Sequence, residues 1–478
     1  MRYFNLGGKL VKKTFIIALA LVLTITSFTL TGCDTTKSDR ENEIKNQTYN
    51  YYEDIKQTMV DHKDASSFAK ALYDFCKEEE FKVSLEKGNN LIVNQPAAEG
   101  FKDKESNLFM CEYSFDKVKE SSQVMALCLS AVKNAQSNGN IRLIICPEND
   151  KNNGYTHLDE KFFKGDNVTS VVHWNKTQMF TKSSGVTEYA IERDVNYNQP
   201  LGNVAYEITI KGINEEKDRS GNRANGHKNP VTELGSILST IRNNRINVEI
   251  ASFESKGDSD IYPQGAKTVI VVDKSAQSKV EKRLESEKEK FLDDVLEKDV
   301  NASFEYKIVD TPNKVLSYDD SAEVMSLLYT LVDGVFATSE PDYEGDILGV
   351  SSIYNVTVGD KVEVNLISRY LNEEVRKDMD MTYNVTAQLS DFKLHKNEKD
   401  AIWDGNEESP FFEKNRLKKA LEGNGIDRKY KSMLEYNLLA YVNKHNEKAN
   451  KMILGVNIDE AMQDVMALIE YLDQSDVD

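Results

Sequence analysis

Carboxylates and amides follow the ends of three apolar segments early in the chain. Asp116 comes after Asn107–Cys111, in MCEYSFDKV, with Ser114 two residues before it. Glu148 and Asn149 follow Ile141–Cys146 (IRLIIC), Asn175 follows Ser170–His173, and Glu120 lies between the first two segments. A carboxylate in such a place can serve as a base toward a bound water or ligate a hard cation such as Ca²⁺ or Mg²⁺. Zinc is better served by imidazole or thiolate beside carboxylate. The six histidines, at 62, 157, 173, 227, 395 and 445, form no H-E-x-x-H and no other close pair. No C-x-x-C, G-x-S-x-G, P-loop or Rossmann glycine pattern offers a different chemistry.

The elements that position these groups read as alternating helices and apolar strands. Residues 46–83 are expected to be helical, with Phe68, Leu72, Phe75 and Cys76 on one stripe. A strand–turn–strand follows around Gly88, and a helix is expected over Ser122–Val132. This pattern predicts an α/β domain over 46–200 with a mixed, mainly parallel sheet. From about residue 201 to 375 the chain reads as an inserted α+β domain with two β-α-β-β copies. The first has strand Val204–Lys211, helix Pro230–Arg242 capped by Asn229, and strands Ile246–Phe253 and Lys267–Val272. The second has strand Ser303–Val309, helix Ser321–Val332, and strands Ser352–Val358 and Lys361–Arg369. A charged helix with Val280, Leu284, Phe291 and Val295 on one face links them. Residues 376–478 return to the α/β domain.

The chain has 478 residues, enough for two or more domains. Arg2, Lys9, Lys12 and Lys13 precede an apolar run, Thr14–Leu30, and then Leu-Thr-Gly-Cys. That order predicts a lipoprotein signal over 1–32 and a lipid on Cys33, with 33–45 a polar tether. The expected location is the extracellular face of a bacterial cell membrane. Losing residues 1–32 removes those four basic residues and no acidic one, so the formal charge moves from −19 to −23. Such a chain is a poor partner for nucleic acid. Cys111, Cys128 and Cys146 lie in apolar segments and are expected to be buried free thiols, a disulfide between two of them being the alternative.

Gly88-Asn-Asn-Leu-Ile-Val-Asn-Gln-Pro-Ala, Lys211-Gly-Ile through Ser220-Gly221, Ser351-Ser352 through Val358, KVEVNLISRYL (361–371) and Glu408-Ser-Pro occur in an order that resembles the aminoacyl-histidine (Xaa-His, carnosine-type) dipeptidases, dinuclear zinc metallopeptidases. The resemblance covers about residues 50–475. It implies a catalytic α/β domain interrupted by a two-lobed lid.

The same resemblance implies a site, and the site is eroded. The family's His-x-Asp is Ser114-Phe115-Asp116 here. The segment carrying the bridging aspartate is nearly absent, leaving Glu120 as the nearby carboxylate. The Glu-Glu pair is Glu148-Asn149, which keeps the base and turns the ligand into an amide. The next carboxylate ligand is Asn175. The lid's Gly-His-Ser-Gly is Asp218-Arg219-Ser220-Gly221, so Arg219 stands on the substrate side. The loop with the last histidine is missing after Met452–Gly455. The expectation is a non-catalytic scaffold with no cofactor, in which Asp116 and Glu148 are vestiges, and whose cleft binds a peptide, an amino acid or a partner protein. The alternative is an active zinc dipeptidase in which Asp116, Glu120 and Glu148 converge with Asp150 or His157.

Overall fold

The computed structural model describes residues 37–148, 154–213, 227–243, 245–255, 257, 263–340, 345–405, 416–423, 430–457 and 461–473. The expected leader with Cys33, the residues Asn149, Asp150 and Arg219, and the Glu408-Ser-Pro stretch lie outside the described residues.

The chain opens with α1 (Lys37–Asp61), α2 (Ala65–Glu78), β1 (Lys82–Glu86), β2 (Asn90–Gln95), β3 (Asn107–Tyr113), α3 (Val118–Asn134), β4 (Ile141–Pro147), β5 (Asn167–His173) and β6 (Gln178–Ser183). A second region follows: β7 (Gly185–Asp194), β8 (Tyr197–Asn198), β9 (Val204–Lys211), α4 (Pro230–Asn243), β10 (Glu249–Ser255), β11 (Ala266–Val272), α5 (Gln277–Val295), β12 (Ser303–Val309) and β13 (Val315–Leu316). It continues with α6 (Tyr318–Thr330), β14 (Gly334–Thr338), β15 (Ile347–Val358), β16 (Lys361–Tyr370), α7 (Glu373–Leu389) and β17 (Lys393–Asp400). The return consists of β18 (Trp403–Asp404), α8 (Arg416–Gly423), β19 (Tyr430–Met433), α9 (Leu439–His445), β20 (Asn450–Val456) and α10 (Ala461–Leu472).

The first sheet has the order β1-β2-β4-β3-β5-β20-β6-β18, with β19 beside β6. It is mixed. Strands β4, β3, β5 and β20 run parallel at the centre, and antiparallel strands flank them. The central strands bury both faces, as parallel strands between helical layers do. On β3, Phe109, Cys111 and Tyr113 pack toward the helices, while Leu108 and Met110 enter the core on the other side. Helix α3 is buried along nearly its whole length because it lies inside the helical layer with α1 and α10. Cys76, Cys111, Cys128 and Cys146 are buried and unbridged.

The tether expected over 33–45 is corrected for its described part: residues from Lys37 onward are helical. The apolar stripe of α1 starts at Ile44, 3% exposed, and runs through Tyr51, Ile55 and Met59. Packing of that stripe propagates a helix back over a polar segment with little signal of its own.

The second sheet is antiparallel, ordered β12-β9-β11-β10-β15-β16-β7-β17, with β14 beside β15. Its order is a palindrome. Strands β9, β11 and β10 mirror β7, β16 and β15, and the edges β12 and β17 match. The repeated two-lobed architecture holds, but the unit is β-α-β-β-α-β. Strand β12 closes the first unit, pairing with β9, rather than opening the second. The second unit opens with β7, which pairs with β16. Helix α5 belongs inside the first unit, matched by α7 in the second. The sheet therefore extends beyond residues 201–375 at both ends. Asn229 caps α4, its Oδ1 accepting from the Val231 N–H at 3.0 Å, and Val280, Leu284, Phe291 and Val295 form the buried face of α5.

Candidate functional site

The four parallel strands of the first sheet end on the same side. In open α/β sheets that edge is where ligands bind, because the loops there diverge and leave a crevice. A cavity of about 330 Å³ opens at this edge. Strand β3 supplies Glu112, and the start of α3 supplies Lys117, Glu120 and Ser121. Glu148 stands just past β4. His173, Trp174 and Asn175 come from the end of β5, and Glu435, Tyr436 and Asn437 from the loop between β19 and α9.

Backbone pairing fixes these positions. The Glu148 N–H donates to the Tyr113 carbonyl at 2.8 Å, extending the β3–β4 ladder by one residue. The Trp174 N–H donates to the Val456 carbonyl at 2.9 Å, and Asn457 Nδ2 donates to the Asn175 carbonyl at 2.6 Å. Buried Asn437 accepts from the Leu439 N–H at 3.0 Å and donates to Ser170 Oγ at 3.0 Å, tying the distant loop to β5. Trp174 packs edge-on against Phe180, with ring centroids 4.9 Å apart. Gly455 makes room for it, since a Cβ there would lie 2.7 Å from the Trp174 Cβ.

The electrostatics are lopsided. Among the described residues, four carboxylates, those of Glu112, Glu120, Glu148 and Glu435, line the cavity with one ammonium, that of Lys117. Burial holds the His173 imidazole below its usual range, with Lys117 and Lys119 adding to the effect and Glu120 and Glu435 opposing it. Tyr436 shares a hydrogen bond with the Tyr155 hydroxyl. Burial, with Glu112 nearby, pushes its phenol far above the ordinary value.

Of the residues expected from sequence, Glu120, Glu148 and Asn175 come together here. Asp116 sits in a one-turn 3₁₀ segment, Phe115–Lys117, is exposed, and does not line the cavity. Ser114 does not line the cavity either, and its backbone holds the start of α3: its N–H donates to Ser121 Oγ at 2.9 Å, and that hydroxyl donates back to the Ser114 carbonyl at 3.3 Å. His157 lies in a separate turn, Gly154–His157, away from the lining. Sequence reading passed over Glu112, Lys117, Trp174, Glu435 and Tyr436, and set His173 aside as a surface or capped histidine. Glu112 carried a signal, a lone acid inside an apolar strand. Glu435 and Tyr436 carried none, because they arrive through a loop from the far end of the chain, beyond the whole second region.

A pair of zinc ions would need imidazole and carboxylate donors gathered around two points about 3.5–4 Å apart. Among the described residues, no three of His, Cys, Asp and Glu are grouped closely enough to hold a metal ion. The donors among the described residues do not fit a dinuclear zinc centre.

No family model matches the chain, and no curated protein matches it by sequence. Solved structures do match in fold. The aminoacylhistidine dipeptidase of Vibrio alginolyticus aligns with a TM-score of 0.65 at 14% identity, over 89% of this chain and 96% of that one. Human carnosine dipeptidase 1 aligns with a TM-score of 0.46 at 11% identity, over 91% and 97%. A dinuclear metal binding peptidase of the M20 family from Bacillus subtilis aligns with a TM-score of 0.41 at 10% identity, over 90% and 98%. At 14% identity the likeness to the Vibrio alginolyticus structure is one of fold: an α/β domain interrupted by an inserted two-lobed α+β region.

Proposed function

We propose that this chain is a lipid-anchored, non-hydrolytic protein on a dipeptidase scaffold, and that its cleft binds a small peptide or amino acid. The observation that carries the reading is the donor set at the strand ends. The edge keeps a cavity, carboxylates and aromatic walls. An amide, Asn175, stands where the resemblance implies a metal ligand, and a serine, Ser114, whose hydroxyl is a poor zinc ligand, stands in place of the motif histidine. Without a metal-held hydroxide, a carboxylate such as Glu148 has no activated water to work with.

The test joins two measurements on purified protein. Xaa-His dipeptides supplied with excess zinc should not be cleaved. The same peptides, or amino acids, should raise the melting temperature; a ligand at 100 times its Kd stabilises by about 2.7 kcal/mol. Cleavage abolished by Glu148→Gln would establish the second reading, an active dipeptidase with an atypical metal site. One observation favours that reading: Glu120, Glu148 and His173 line the same cavity.

The anchoring part rests on Leu-Thr-Gly-Cys, residues 30–33, behind a basic and then apolar leader. A two- or three-chain lipid on Cys33 would hold the protein at the outer face of the cell membrane. Metabolic labelling with palmitate should mark the protein, and Cys33→Ala should abolish the label.

A further inference from the structure

We propose that Cys111 and Cys128 form an oxidisable thiol pair, which a small-molecule disulfide closes into a bridge between β3 and α3. The pair stands apart from whatever the cleft binds.

Placement is the first argument. Cys76, Cys111, Cys128 and Cys146 are thiols, none more than 2% exposed. Successive residues of a strand point to opposite faces. Cys111 therefore enters the helical layer with Phe109 and Tyr113. Cys128 reaches the same core from α3, the helix that follows β3 and packs back on it. The two side chains are within hydrogen-bond reach of each other. Cys146 is near Cys111 in a different sense. Its neighbour Ile145 is the ladder partner of Cys111, so the Cys146 side chain leaves by the other face and joins the other core. Its Sγ donates to the Cys111 carbonyl, at 3.4 Å. Cys76 lies on α2 beside Glu79. Among the described cysteines, Cys111 and Cys128 are the pair whose side chains converge, which is what a disulfide requires.

The chemistry is thiol–disulfide exchange. Cys111 gives its proton to solvent, and the thiolate attacks one sulfur of the small disulfide. A mixed disulfide forms and one small thiolate leaves. The Cys128 thiolate then attacks the Cys111 sulfur, and the second small thiolate leaves. Two protein thiols are oxidised, one disulfide is reduced to two thiols, and the two protons end on the leaving groups. The first step needs a thiolate. The contact with Cys128, and then burial, push the Cys111 thiol well above its ordinary value. The closed chain should therefore react slowly, and the bridge should form when the chain folds or opens locally. Outside the cytoplasm, where the leader would send this chain, disulfides persist. The bridge would tie the strand of Glu112 to the helix of Glu120 and Ser121, two walls of the cleft.

Oxidised glutathione is the probe. The full chain in detergent is treated with it at about pH 8.5, where an ordinary thiol is half ionised, in buffer and in urea just below the unfolding midpoint. The chain is then unfolded, alkylated with iodoacetamide and mapped by mass spectrometry. A Cys111–Cys128 bridge is expected, forming at least tenfold faster in urea. Returned to buffer, the bridged chain should melt about 5 °C above the reduced one, whereas the same treatment should leave the melting temperature of Cys128→Ala unchanged. Glutathione adducts or alkylation on both cysteines after the urea treatment would overturn the inference. So would a bridge from either to another cysteine, or a bridged chain that melts no higher than the reduced one. These outcomes leave the tests of hydrolysis and peptide binding untouched.

Discussion

The buried charges of the lid and the charges of the cleft are handled in opposite ways. In the lid, Arg193 reaches Asp320 at 2.8 Å. The same carboxylate accepts from the Asn196 N–H and from Ser317 Oγ, each at 2.8 Å. Asn229, fully buried, gives its amide hydrogens to Asp333 and to the Ile353 carbonyl, both at 2.8 Å, while its oxygen caps α4. Asp320 and Asn229 are thus answered within the chain, as burial in a low dielectric demands. In the cleft, the described carboxylates come from four separate elements and line an open space. The difference is one of placement: the first network closes on itself inside the fold, and the second group stands around a cavity.

The largest effect should come from breaking the lid network. Asp320→Asn takes the buried charge from beside the half-buried Arg193, which among the described residues keeps only Asp391, at 3.8 Å, as an acidic partner, and should cost about 2–3 kcal/mol, read by urea unfolding. A loss below about 1 kcal/mol, the scale of a surface pair, would show that the lid does not depend on it.

Next in size is Gly455→Ala. The added methyl meets the Trp174 Cβ and the Phe180 ring, so repacking should cost about 1–2 kcal/mol. It should also change the near-ultraviolet circular dichroism of the tryptophan and weaken ligand binding, since Trp174 walls the cleft. Unaltered spectra and binding would detach Trp174 from the site.

Glu435→Gln should behave oppositely to Asp320→Asn. It removes one of several like charges, so stability should stay within about 0.5 kcal/mol of the parent or rise, while ligand affinity falls. A loss as large as that of the lid variant would erase the contrast between lid and cleft.

The smallest effect concerns pH. His173 is held below its ordinary value in the folded chain. As pH falls through the unfolded value, about 6.5, the unfolded chain takes up a proton that the folded chain resists. The neutral ring therefore costs no stability above that pH, and stability declines below it. His173→Asn should flatten the decline in melting temperature between pH 7 and pH 5. An unchanged slope would assign the decline to other groups.

What could be read from the sequence was local. The stripe of α5, the Asn229 cap and the hairpin at Gly88 depend on residues a few positions apart, and all three are present. The repeat was visible, but its unit was not. Nothing near β12 says that its partner is β9, and most of the lid lies in sequence between β7 and its partner β16. The site divided the same way. Glu120, Glu148 and Asn175 were legible because they follow apolar segments that become neighbouring elements of one sheet edge. Asp116 shares that signal, yet a single 3₁₀ turn directs it to solvent. Glu435 and Tyr436 depend on β20 entering the sheet between β5 and β6 and on Asn437 reaching Ser170. No local pattern encodes that.

The zinc content of the full chain, purified with zinc present and then dialysed, bears most directly on the donor set at the strand ends. Sub-stoichiometric zinc is expected, unchanged by Glu148→Gln. Two retained zinc ions per chain, lost on substitution of Glu120 or Glu148, would contradict it.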